Sequence, residues 1–167
     1  HHATTGHIDT VNALARTHNA NVDAVDNHGR TALMSAAQDG HTDIVNALAG
    51  THNANVEAVD NHGTTVLMFA AQDGHTATVN ARAGTHKANV EAATERGTTV
   101  LMFAAQNGHT ATVNALAGTH NANVEAVDNH GKTALMLAAV LGDTDAANAL
   151  PGTHNNNEEA AAEDGTT

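Results

Sequence analysis

The chain has no cysteine, no tryptophan and no tyrosine, one proline, two phenylalanines and six lysines and arginines among 167 residues. Without cysteine there are no disulfides, no thiolate metal sites and no cysteine nucleophile. Eighteen acidic residues against six basic ones give a formal charge of -12 with His neutral. That balance cannot build the positive stripe that holds phosphates, so nucleic acid is not an expected partner. No apolar run approaches the roughly 20 residues of a membrane-spanning helix. Ser35 is the sole serine, and the glycines are too isolated for a phosphate-cradling loop. No catalytic residue, cofactor or small-molecule substrate is therefore expected. Leu, Ile, Val and Phe together fall below the level that normally warns of disorder. Strict periodicity and abundant alanine restore the expectation of an ordered chain.

What is present is repetition. Gly63-Thr64-Thr65-Val66-Leu67-Met68-Phe69-Ala70-Ala71-Gln72 returns unchanged as Gly97 through Gln106, 34 positions on. Gly29, Gly63, Gly97, Gly131 and Gly165 keep that period, and so do Gly40, Gly74, Gly108 and Gly142. A fixed period of this size means one small unit stacked on copies of itself. The expected organisation is a single array over 1–167. It has a partial unit at 1–25, units at 26–59, 60–93, 94–127 and 128–161, and a partial turn at 162–167.

Residues 26–59 show the physics of one unit. Asp26-Asn27-His28-Gly29 is turn chemistry, because Asn and Asp bond their own backbone and Gly accepts positive φ. Thr31 is a good N-cap. Ala32 through Gln38 form a short helix with Leu33, Met34, Ala36 and Ala37 available for burial, and Gly40 ends it. His41-Thr42-Asp43 opens a second helix, whose Ile44, Val45 and Leu48 make one apolar stripe. Asn53 is expected in the left-handed conformation, followed by an extended return through Asn55-Val56-Glu57-Ala58-Val59. Neither helix buries its stripe alone, so the fold class is an all-α repeat solenoid.

The segment Asp26-Asn27-His28-Gly29-Arg30-Thr31-Ala32-Leu33-Met34-Ser35-Ala36-Ala37, then Gly40-His41, Val45-Asn46-Ala47-Leu48 and Ala54-Asn55-Val56-Glu57-Ala58, resembles the ankyrin repeat. The tetratricopeptide repeat shares the period but needs Trp, Tyr and Pro positions that are absent. Several positions depart from the ankyrin pattern. The family's T-P-L-H becomes Ala32-Met34, Val66-Met68, Val100-Met102 and Ala134-Met136, so Met replaces a hydrogen-bonding His with a packing residue. Met34, Met68, Met102 and Met136 are expected in the core, and so are Phe69 and Phe103; if exposed, the two rings would instead be candidate anchors for a partner. The period exceeds the usual 33 by one, with the extra residue placed around Gly50-Thr51. Arg82 stands where Leu14, Leu48, Leu116 and Leu150 recur. Either its stem carries the charge out to water or that repeat is locally weak.

By phase, residue 1 falls inside a first helix and the second helix opens after Gly6. At the other end Asp143 replaces the repeating His, Pro151 interrupts a helix end and Glu158 replaces a recurrent Val, suggesting a solvent-facing cap or decay of the repeat. The phases of the two ends are expected of a fragment of a longer array, and would also let a second copy continue the stack.

Apart from His1 and His2, the histidines form three columns. His7, His41, His75 and His109 resemble the family's Gly-His position. His28, His62 and His130 sit at turn tips, with Arg96 and Asp164 filling the gaps. His18, His52, His86, His120 and His154 lie at helix C-termini, where a protonated imidazole is favoured. Stacked helices stand roughly 8–10 Å apart, too far for one column to share an ion, so no metal site is expected. Protonating 14 histidines would take the charge from -12 to about +2. Association or solubility is therefore expected to change between about pH 5 and 7.

The resemblance implies a non-enzymatic scaffold that grips protein partners with its turn tips and first-helix faces. Carried over residue by residue, that surface is Asn27, His28, Arg30, Gln38 and Asp39, then Asn61, His62, Thr64, Gln72 and Asp73. It continues through Glu95, Arg96, Thr98, Gln106 and Asn107 to Asn129, His130 and Lys132. Val140 and Leu141 make its one apolar spot. The alternative is a structural subunit that stacks head to tail into a filament, with the partner being the chain itself.

Overall fold

The structure, a computed structural model, describes residues 2–85 and 88–150. His86, His154, Pro151, Glu158, Asp164 and the Gly165-Thr166-Thr167 turn lie outside the described residues.

Threonine starts each first helix. Thr31, Thr65, Thr99 and Thr133 are N-caps in extended conformation for α2 (Ala32–Gln38), α4 (Val66–Gln72), α6 (Val100–Gln106) and α8 (Ala134–Leu141). Each hydroxyl accepts the N–H three residues on, at 3.2 to 3.4 Å. The methionines do more than fill space. Sδ of Met34, Met68 and Met102 accepts the cap residue's own N–H at 3.4 to 3.5 Å, closing a capping box with sulfur in place of a Glu or Gln side chain. Met136 differs from the core position expected of it: it is 51 % exposed, because no further first helix covers α8 among the described residues.

A left-handed glycine turns the chain into each second helix: α3 (Thr42–Asn46), α5 (Thr76–Asn80), α7 (Thr110–Asn114) and α9 (Thr144–Asn148). Gly40 has φ +73°, and a Cβ there would meet the His75 ring at 2.5 Å, so space as well as backbone demands glycine. Asp143, where the other repeats have His, caps α9 by accepting the Ala146 N–H at 3.0 Å. α1 (His2–Asn12) corrects the expected break at Gly6, since the helix runs straight through it. A corner needs a full first helix ahead of it to supply carbonyls, as Ala36 does for the His41 N–H at 2.9 Å.

α1, α3, α5 and α7 pass into one wide turn each: Ala13–Thr17, Ala47–Thr51, Ala81–Thr85 and Ala115–Thr119. Three of these turns close with hydrogen bonds to the fifth residue back: His18 to Ala13, His52 to Ala47 and His120 to Ala115. The wide turn holds one residue more than an α-helical turn, which takes up the residue by which the period exceeds about 33. Asn19, Asn53 and Asn121 follow with φ of 52°, 55° and 54°, left-handed as expected. The return is less extended than expected. Asn55 Oδ1 accepts the Glu57 N–H at 3.0 Å and folds Val56-Glu57 into a turn, a pattern repeated by Asn89 and Asn123.

The result is two layers. The first helices pack in the order α2, α4, α6, α8, and behind them run α1, α3, α5, α7, α9. Ala36, Ala37, Ala70, Ala71, Ala104 and Ala105 are buried between first helices and let them approach closely. Leu33, Val45, Leu67, Val79, Leu101, Val113 and Leu116 fill the space between the layers. Such a core gives each unit little on its own, so neighbour interfaces carry the stability.

Polar columns lock adjacent units. Thr42 bonds the buried Thr78 hydroxyl, and Thr76 the buried Thr112 hydroxyl, each at 2.7 Å. Asp23, Glu57 and Glu91 accept the backbone N–H of Asn55, Asn89 and Asn123, one unit later.

Candidate functional site, the turn-tip face

Each tip is wound around one acceptor. Asp26 Oδ1 takes the N–H of His28 and Arg30 at 2.8 and 2.9 Å; Asp60 and Asp128 repeat the arrangement. Thr94 does the same with Oγ1 at 3.2 to 3.3 Å. The backbone donors, Arg30 first and His28 next, hold the Asp26 carboxyl below its ordinary value. Asp128 is lowered too, chiefly by the Lys132 N–H.

Successive tips are tied by backbone hydrogen bonds. The N–H of Asn61, Glu95 and Asn129 donates to the carbonyl of His28, His62 and Arg96 at 3.0 to 3.1 Å. Asn61 and Asn129 add a side-chain bond each, from Nδ2 to the carbonyls of Asn27 and Glu95. These two expected partner contacts therefore spend part of their side chains inside the stack. Glu95, in the same position, reaches back instead, and its Oε1 lies 3.1 Å from His62 Nδ1.

Of the remaining expected residues, Thr64, Arg96, Thr98, Gln106 and His130 meet around one groove. Asn27, His28, Asp39, Asp73, Arg96, Gln106, His130 and Lys132 are exposed, and Thr64, Gln72 and Thr98 are half-buried. Asn107 is exposed and gives its Nδ2 to the Phe103 carbonyl at 2.9 Å. Val140 and Leu141 are 78 % and 52 % exposed, making the apolar spot expected there.

Arg30 is held more firmly than its sequence position shows. Its guanidinium stands 4.7 Å from the Phe69 ring centre, and Nη1 donates to Gln38 Oε1 at 3.3 Å. Phe69 is only 3 % exposed, whereas Phe103 is half-buried. A groove of about 420 Å³ opens over Phe103, walled by His62, Thr64, Glu95, Arg96, Gln106 and Asp128 among others. Thr94, Phe103 and Asp128 were absent from the sequence-derived face. Their signal was present as a one-residue difference between units: Thr64 stands where Arg30 covers the preceding Phe.

In the other two histidine columns, four described members bond between units. Nε2 of His75 and His109 bonds the carbonyls of Gln38 and Gln72 in the preceding unit, at 2.8 and 2.9 Å. Nε2 of His52 and His120 bonds Oδ1 of Asn12 and Asn80 at 2.9 Å. Among the described residues no three His, Asp or Glu side chains are grouped so as to hold a metal ion, and no helix is long and apolar enough to cross a membrane.

Arg82 departs from its first expected form. Its side chain is 1 % exposed, so the charge does not reach water. Nη2 donates to Asn46 Oδ1 at 2.8 Å, the acceptor position that His52 and His120 use in their own interfaces. Nε and Nη1 have no partner among the described residues, and burial holds the guanidinium below its ordinary pKa.

A two-layer stack of helix pairs with tied turn tips defines a repeat solenoid. The family model of ankyrin repeats, with three copies, matches residues 1–85 and again 67–159. The chain belongs to the ankyrin repeat family, whose members are generally protein-protein interaction modules. No curated protein matches the sequence.

Proposed function

We propose that the chain is a non-enzymatic interaction scaffold that binds a protein partner along its turn tips and first-helix face. The observation that carries this reading is the tip-to-tip hydrogen bonding from His28 to Asn129, which preorganises an exposed polar face. A surface ordered before contact loses less entropy on binding. His52, His75, His109 and His120 by contrast are engaged in bonds between units. Its test is capture of proteins on the immobilised chain, beside a variant with His28, His62 and His130 all changed to Ala. Proteins held by the natural chain and released by the variant are expected; equal retention would remove these tips from the site.

A second reading, head-to-tail stacking into a filament, draws support from apolar surface at both ends of the described stack. Met136, Val140 and Leu141 are exposed on α8. A groove of about 490 Å³ beside α1 is lined by Val11, Leu14, Val22, Ile44 and Leu48. Light scattering after size exclusion separates the readings. A constant mass near 17.0 kDa rejects stacking, and a mass that climbs with concentration supports it.

A further inference from the structure

The stack carries its own comparison for the groove over Phe103. One unit earlier, the Phe69 ring is closed by Arg30, whose guanidinium lies 4.7 Å from the ring centre and is steadied by Gln38 Oε1. One period on, Phe103 stands for Phe69 and Gln72 for Gln38, but Thr64 stands for Arg30. Threonine has neither the reach nor the charge to cover a ring. The aromatic face stays half-buried at the floor of the groove, with the place of the guanidinium left vacant. An aromatic face attracts a cation through its quadrupole, and a planar guanidinium can stack on it while donating at its edge.

The walls fit the same occupant. Glu95 and Asp128 bring two carboxylates, against the single guanidinium of Arg96, and His62 and His130 flank them. The Glu95 side chain is 60 % exposed and turned toward His62, with its second oxygen available to a donor. The chain as a whole carries a formal charge of -12, which draws cationic segments toward it.

We propose that this groove receives an arginine side chain of a protein partner, its guanidinium stacked on Phe103 as Arg30 stacks on Phe69. The proposal rests on the protein-binding reading of the face and gives that partner its chemistry: an exposed arginine in a basic segment. Phe103 is the anchor, Gln106 on the groove wall the edge acceptor, and the carboxylates of Glu95 and Asp128 select charge.

The test uses the full chain labelled at phenylalanine and at backbone amides, titrated with N-acetylarginine methylamide and with the uncharged isostere N-acetylcitrulline methylamide. With two phenylalanines in the chain, the Phe69 ring is an internal control. The expected result is a saturable shift of the Phe103 ring and of the Thr64 and Thr98 amides. Citrulline should act at least fivefold more weakly, and the Phe69 ring should not move. Phe103→Leu should abolish the response while leaving the amide signals of α2 unchanged. Thr64→Arg, which imports the residue used one unit earlier, should abolish it by filling the groove from within. No response, equal response to citrulline, or a response that survives Thr64→Arg would overturn the proposal. Loss of captured proteins in the triple histidine variant would still support the wider reading, so the two failures are told apart.

Discussion

Arg82 Nη2 donates to Asn46 Oδ1 across 2.8 Å, while Nε and Nη1 of the same buried guanidinium meet no acceptor among the described residues. One charge-assisted bond sets against two stranded donors at a position where Leu48 and Leu116 are buried at 2 % and 0 % exposure. An unsatisfied buried polar group costs about 1–3 kcal/mol, more if charged. Arg82→Leu should therefore stabilise the stack by about 1 kcal/mol or more. Asn46 is exposed and can turn to water. Urea unfolding followed by circular dichroism checks it; an unchanged midpoint would mean that the guanidinium is satisfied in solution.

The caps make a second, graded prediction. Thr99 is buried and sits in a closed box with Met102, whereas Thr133 accepts one bond from the N–H of the exposed Met136 and its own N–H is not accepted by that sulfur. Thr99→Ala should cost about 1 kcal/mol, the usual loss of a cap. Thr133→Ala should cost less than half of that, since water can replace the bond. Thermal melts of the two variants give the order, and a larger loss at Thr133 would contradict it.

Two glycines should respond with opposite signs. Gly74 has φ +74°, and a Cβ there would come 2.5 Å from His109 Nδ1, displacing the ring that bonds the Gln72 carbonyl. Gly74→Ala should destabilise by about 2 kcal/mol, from left-handed strain and the lost bond together. Gly118 lies in the wide turn that ends α7, where an added Cβ meets nothing within 4 Å. Gly118→Ala should stabilise by roughly 0.5–1 kcal/mol by restricting the unfolded chain. Denaturant midpoints of the pair decide it, and a stabilising Gly74→Ala would mean that the corner adapts freely.

These features mark where the sequence was legible. Turn glycines, threonine caps and left-handed asparagines are local, each readable within a few residues, and from Gly29 to Gly142 they stand where the pattern placed them. What stayed hidden depends on neighbours about one unit away: Asn61 reaches Asn27, His75 reaches Gln38, and Arg82 reaches Asn46. The wide turns escaped because an extra residue announces itself only as a longer period, and several loop geometries could absorb it. The sulfur in the capping box escaped because methionine at that position reads first as packing. At the candidate face, the exposed tips were legible from the turn chemistry, but the open ring of Phe103 was not. Its exposure follows from the size of Thr64 in the previous unit, not from anything beside Phe103 in the chain.

Acid should loosen the tips in a definite window. Backbone N–H donors hold the carboxyls of Asp26 and Asp128 below their ordinary value of 3.8. An acid with a lowered folded-state pKa contributes stability that is complete above its unfolded value and fades as pH falls through the folded one. The contribution should be whole above about pH 4 and vanish progressively below it. Thr94 shows a tip that needs no charge, since its hydroxyl accepts the same two N–H groups at 3.2 to 3.3 Å. The double variant Asp26→Thr, Asp128→Thr should accordingly be less stable than the natural chain at pH 6, and should lose less on going to pH 2. Melting temperatures of both chains over that range provide the comparison. Parallel profiles would show that the two carboxylates do not stabilise the tips through their charge.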